Sequence, residues 1–341
     1  MDVYAAIEDP RMPLRHVGAF ARRVEGCGLT GLLIPESIHD AFLSSLLALE
    51  HTAELRVATS VALAFPRSPM ITAYAAWDLQ AMSGGRFALG LGSQVKGNIV
   101  GRFSTEWKPP VPRMRDYIAA LRAIWDCWQT GTRLDFDSPN YRFDKMQPFF
   151  AADPLDGPPP AILLGGVNRN MTRLAGEAAD GFMTHPTNTN PRYLREVINP
   201  NLEQGAQRAG RAPEQIQRIA STFVATGADA AAVALERERL RGYLGFVFST
   251  PQYWPSLELL GWPDVGPTLL QKTRDGRWDD MAAAIPDALF DALVASGTYA
   301  EIAPVLEHWY GGLIDAVTLR MPENPADDDA FRRVVEELRG K

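Results

Sequence analysis

Cysteine is nearly missing from this sequence, with Cys27 and Cys127 the only two in 341 residues. That excludes a disulfide framework and a cysteine-rich zinc site, and it fits a reducing compartment. Positive charge is also in deficit, 34 Lys and Arg against 41 Asp and Glu, for a formal charge of −7. Such a balance argues against a nucleic-acid surface. No run approaches the ~18 apolar residues of a membrane span, and no basic-then-apolar leader opens the chain. The five histidines show no HxxxH or HxH spacing, so no metal site is expected. The expectation is a soluble cytoplasmic protein that acts on a small molecule, without a nucleic-acid or membrane partner.

What the chain does have is a repeat. Strands expected at Val3–Glu8, Gly31–Glu36, Leu55–Phe65, Arg86–Gly92, Ile162–Gly166, Gly181–Thr184, Ile219–Thr226 and Ile314–Met321 alternate with amphipathic helices. Eight strands with intervening helices specify an α/β fold, the (β/α)8 TIM barrel, as a single domain over residues 1–341. A doubly wound sheet would want a Gly-rich turn after the first strand, and Glu8–Pro13 has none. Two irregular stretches, about 132–160 and 241–282, read as insertions after strands four and seven. In the third strand Ala58, Ser60, Ala62 and Ala64 alternate with bulkier residues, which predicts the small set inside the barrel. The stripe Met114, Tyr117, Ile118, Leu121, Ile124, Trp125 and Trp128 suits a homodimer face if the chain itself does not cover it.

Barrel enzymes build their sites on the loops after the strand C-termini. Those loops carry Glu8 and Asp9, then Glu36, His39 and Asp40, then Phe65 and Arg67, then Ser93, Gln94, Lys96 and Asn98. Strand five adds Gly165, Gly166, Asn168 and Arg169, and strand six adds His185. His39 is the candidate proton-transfer group, because imidazole titrates near neutrality, and Glu36 is a candidate base or brace. Gly165-Gly166 before a helix with Arg169 and Arg173 suggests a phosphate cradle, and Gly90 and Gly92 allow close backbone approach. His185 is placed to brace a loop or touch a ligand. The aromatics Tyr243, Phe246, Phe248, Tyr253, Trp254 and Trp262 are candidates to roof an apolar pocket or to form core.

Several stretches resemble the luciferase-like monooxygenase superfamily, and within it the oxidoreductases that use the deazaflavin coenzyme F-420. They are Pro35 to Asp40, Thr59 to Pro69, Ser83-Gly84-Gly85-Arg86-Phe87 running into Leu89 to Gln94, and Met114 to Tyr117. Leu164-Gly165-Gly166 and Ala179-Asp180-Gly181 complete the set. The resemblance implies a cofactor ring across the barrel mouth, a non-prolyl cis peptide at Ser60–Val61 behind it, and Ala62, Gly92 and Ser93 close by. It implies a phosphate at Gly165-Gly166 and a substrate-facing His39, while Asn98 stands where relatives tend to carry histidine. The implied activity is hydride transfer between the deazaflavin and a small organic substrate. The alternatives are an FMN-dependent two-component monooxygenase and a cofactor-binding barrel without turnover.

Overall fold

The computed structural model describes residues 1–340. Eight parallel strands close into a barrel: β1 (Asp2–Ala6), β2 (Gly31–Ile34), β3 (Arg56–Thr59, resuming at Ala62–Leu63), β4 (Phe87–Gly92), β5 (Ala161–Gly166), β6 (Gly181–Thr184), β7 (Gln217–Ala220) and β8 (Ala316–Thr318). Closure is made by β1 against β8, Val3 opposite Val317, and every other neighbouring pair follows chain order. The helices between them start where short polar side chains cap free N–H groups. Asp40 accepts from Phe42 and Leu43, Ser68 from Met70, and Asn168 from Met171. Tyr4, Leu33, Ala58, Leu163, Met183, Ile219 and Ala316 fill the barrel interior, while a larger apolar shell lies between strands and helices.

The expected alternation in β3 is correct up to Ser60 and inverted beyond it. The Ser60–Val61 peptide is cis, as the family resemblance implied, and the strand is interrupted there. Ala58 points into the barrel, but Ala62 and Ala64 join the outer shell, and it is Val61 that packs on the interior cluster. A break of one residue in the pleat exchanges the two faces of everything downstream. Two glycines make room for the displaced side chain. A Cβ on Gly92 would lie 2.3 Å from Val61 Cγ2, and one on Gly165 would lie 2.8 Å from Val61 Cγ1.

Three further expectations need correction. The seventh strand does not run through to Thr226. It ends at Ala220, where Thr222 turns to bond Thr318, and Val224–Gly227 pairs with Ala295–Thr298 in a small separate sheet. The stretch after Leu240 is helical, not irregular: one helix spans Ala230–Phe248, and Trp254–Leu259 and Val265–Arg274 follow. Its glycines masked the pattern, although Gly245 is there because Met281 packs against it, with an ideal Cβ only 2.8 Å from Met281 Cβ. This insertion has a core of its own, with Leu244, Phe248, Leu257 and Leu269 buried together with Leu289 and Phe290 of the following helix, Asp287–Leu293. Lastly, the Met114–Trp128 stripe is buried throughout under the chain's own elements, so it offers no dimer face.

Candidate active site

The C-terminal ends of the strands open on a cavity of about 410 Å³. That volume lies within the ~300–1,000 Å³ common to small-molecule sites. Its wall comes from the ends of β1, β2, β3, β7 and β8, the turn after β6, and the helix Ala230–Phe248. Ile7, Leu33, Phe223, Leu240 and Tyr243 supply apolar surface, and Ser60, Thr222 and Thr318 supply hydroxyls. Four charged residues share this wall. Arg320 Nε lies 2.9 Å from Glu8 Oε2, Arg320 Nη1 donates to Glu236, and Arg239 binds Glu236 through two nitrogens. Partial desolvation at the cavity wall raises the pKa of Glu8, with Arg320 pulling the other way, although 45% of its side chain still meets solvent.

Glu236, Arg239 and Arg320 were missed in the sequence, although a signal existed. Arg320 stands two residues past the end of β8, a position where barrel enzymes place functional groups. Glu236 and Arg239 lie three apart on the helix after the seventh strand, and that spacing puts them on one face.

Among the residues expected to form the site, Ser60 lines the cavity, with Pro186 the neighbour of His185 in the same wall. His39 adjoins a small separate recess that shares Ile7, Pro10, Pro35 and Ser37 with the cavity wall. Glu36 is committed elsewhere. Its carboxylate accepts from Leu63 N at 2.7 Å and from both terminal nitrogens of Arg67, which also binds Asp40 Oδ2 at 2.7 Å. This brace ties the loop after β2 to the loop after β3 and leaves the Oδ1 of Asp40 to cap its helix. Gly92 and Gly165 seat Val61, and a Cβ on Gly166 would meet Met171 at 2.8 Å, so packing alone accounts for glycine at these three positions. Ala62 and Gly92 are buried, Ser93 is half-buried, and Arg169 is exposed. Asn98 donates to Gln94 Oε1 at 3.1 Å, and Gln94 itself holds a positive φ of 57°.

His185 is better ordered than a loop histidine needs to be. Its ring stacks on Tyr253 at 4.4 Å with planes 8° apart, and Nδ1 lies 2.8 Å from Thr187 Oγ1. Burial lowers its pKa to about 4, so the ring is neutral at neutral pH. Close by, Asn188 is only 4% exposed, and neither its Nδ2 nor its Oδ1 has a protein partner. A buried amide of this kind requires a ligand or a water.

The depressed histidine makes an acid-stability prediction. The unfolded chain takes up the proton near the ordinary histidine value of 6.5, the folded chain near 4. Stability present above about pH 6.5 is therefore lost as pH falls toward 4, by at most ~3 kcal/mol. Urea midpoints measured across that range for wild type and His185→Asn should converge at the acid end, with the variant showing the shallower slope.

Among the described residues no group of three or more His, Cys, Asp and Glu is placed to hold a metal ion, and no helix is long and apolar enough to cross a membrane. A family model described as luciferase-like monooxygenase matches residues 2–316. An uncharacterised protein of Mycobacterium tuberculosis is 41% identical over 294 residues, covering 86% of each chain. A coenzyme F-420-dependent tetrahydromethanopterin reductase of Methanopyrus kandleri has a TM-score of 0.80 at 18% identity, covering 100% of this chain and 98% of that one. A monooxygenase of Streptomyces bottropensis has a TM-score of 0.67 at 15% identity, covering 98% and 97%. At those identities the structural likeness establishes the barrel and leaves the chemistry to the site.

Proposed function

We propose, on the premise that this chain belongs to the luciferase-like monooxygenase family, that it is a coenzyme F-420-dependent oxidoreductase acting on a small organic alcohol or carbonyl compound. The observation that carries this reading is a carboxyl group, Glu8, in the wall of a largely apolar cavity at the barrel mouth. The residues present fit the coenzyme, since the buried Asn188 amide awaits polar partners beside a fixed, neutral His185. Ser60, Val61, Gly92, Ser93, Asn98, Gly165, Gly166, Arg169, His185 and Asn188 would hold it, whereas the Ala62 methyl group faces the outer shell. When bound, the deazaflavin supplies the two-electron hydride chemistry.

The chain's own part is to bind, orient and manage one proton. Arg320 fixes Glu8 through Oε2, which leaves Oε1 to exchange a proton with a substrate hydroxyl or carbonyl oxygen. Partial desolvation raises the pKa of Glu8, which favours the protonated form that such an exchange passes through. Ile7, Phe223 and Leu240 supply the apolar side of the wall beside Glu8. Glu36 acts as a positioning residue, holding Arg67 and through it the His39 loop. His39 stands one wall away from the cavity, and His39→Gln is the comparison that separates its role from that of Glu8.

The test is anaerobic incubation with oxidised coenzyme F-420 and a panel of secondary alcohols, following the visible absorbance of the deazaflavin. Bleaching with at least one alcohol is expected. Turnover that instead requires reduced FMN and oxygen would replace this reading with a two-component monooxygenase.

The proposal extends to a homodimer. Helices Ala41–Glu50 and Pro69–Met82 leave Leu43, Leu46 and Ile71 exposed, and Phe149, 90% exposed, adjoins them through the Tyr74–Phe150 hydrogen bond. Light scattering should give twice the chain mass, and Leu43→Asp with Ile71→Asp should give the monomer.

A further inference from the structure

One face of the helix Ala230–Phe248 changes character along its length. Glu236 and Arg239 stand near its middle, within the charged part of the cavity wall, and Leu240 and Tyr243 follow on the same wall. One turn further, Phe246 lies 6.4 Å from Tyr243, and Trp278 lies 6.5 Å beyond Phe246. Inward, Phe223 meets the Tyr243 ring at 6.0 Å. Four rings thus run in series from inside the cavity to the outer surface. Tyr243, Phe246 and Trp278 are 43%, 55% and 51% exposed, which is unusual for a contiguous aromatic set on an uncovered surface.

The charged end narrows the ligand further. Arg239 is held by Glu236, and Arg320 by Glu8, Glu236 and Glu323. No arginine in the wall is left without a carboxylate, so an anionic substrate finds no free counter-charge here. A ligand confined to the cavity would meet Phe223 and Tyr243 but neither Phe246 nor Trp278. Only a molecule with an extended apolar segment uses the whole series.

We propose that the substrate is an uncharged amphiphile. Its polar reacting end group lies among Glu8, Ser60 and Thr318, and its alkyl or aryl chain runs out along Tyr243, Phe246 and Trp278. The identity of the reacting group rests on the oxidoreductase reading above; the ring series as an apolar chain site does not. Full burial of a methylene would tighten binding roughly fourfold; laid on one face of the rings it leaves water only in part, so about threefold is expected.

The experiment is calorimetric titration of the cofactor-free protein with methyl ketones from butanone to decanone. Affinity should climb with chain length, roughly threefold per methylene over the span of the rings. Phe246→Ser and Trp278→Ser should flatten that climb and leave butanone binding unchanged, and Phe246→Leu should retain it. Both side chains are more than half exposed, so the variants are expected to fold, and unchanged coenzyme F-420 binding checks this. Length-independent affinity, or a climb that both serine variants keep, overturns the proposal. So does a climb lost together with a change in oligomeric state, which would make the rings an interface between copies. Ketone binding that rises with length in a protein that binds no deazaflavin upholds the ring series and refutes the oxidoreductase reading. The reverse pattern refutes the ring series alone.

Discussion

Gly90→Ala is expected to cost roughly 4 kcal/mol or more of folding stability, or to prevent accumulation of soluble protein. Gly90 lies in β4, where Thr59 Oγ1 donates to its carbonyl oxygen at 2.7 Å. A Cβ there would lie 1.8 Å from the Thr59 carbonyl oxygen, and Met183 Sδ closes the other side at 3.0 Å. The clashing atom is strand backbone in a fully buried residue, so relief requires the barrel wall itself to move. Two comparisons define the cause. Gly97→Ala meets nothing within 4 Å and should be neutral. Gly92→Ala meets only the Val61 side chain, so Val61→Ala in the same protein should recover much of its loss. Chemical denaturation of the four variants measures all of this, and a wild-type midpoint for Gly90→Ala would contradict the packing described.

Glu8→Gln should lower kcat/KM by ~10²–10⁴, the range typical for removing a positioned acid or base. The variant keeps the size of the side chain and a hydrogen-bonding oxygen for Arg320, so coenzyme affinity should stay at the wild-type value. The fall should appear in kcat, because the proton moves only as the substrate reacts. His39→Gln, one wall away, should change kcat/KM by much less. Steady-state kinetics with any alcohol or ketone the enzyme turns over settles the order. If His39→Gln proves the more damaging, the proton passes through the small recess beside Ser37 and not through Glu8.

The barrel was legible because its signals are periodic. Alternating strands and amphipathic helices repeat eight times along the chain. What the periodicity hid were the places where backbone geometry departs from it. In β3 the pleat is broken at Ser60–Val61, so a period-two reading necessarily assigned Ala62 and Ala64 to the wrong face. The helix through Phe248 was hidden by Gly242 and Gly245, one of which serves a close contact with Met281.

The site was legible by position and not by partnership. Counting strand ends found Glu8, Glu36 and His39, because a barrel's topology alone brings those loops together, while Ser60 came from the family resemblance. It gave no sign that Arg67 already holds Glu36, nor that Arg320, distant in sequence, would reach Glu8. Ion pairs between remote segments leave no local pattern in a chain. The same holds for Gly165 and Gly166, whose phosphate-cradle pattern is also what Val61 and Met171 require for packing.

Fluorescence titration of the cofactor-free protein with coenzyme F-420 and, separately, with FMN tests the central claim most directly. The account predicts saturable binding of the deazaflavin in the micromolar range, with FMN at least tenfold weaker, a difference of ~1.4 kcal/mol. Tighter binding of FMN, or binding of neither, would contradict it.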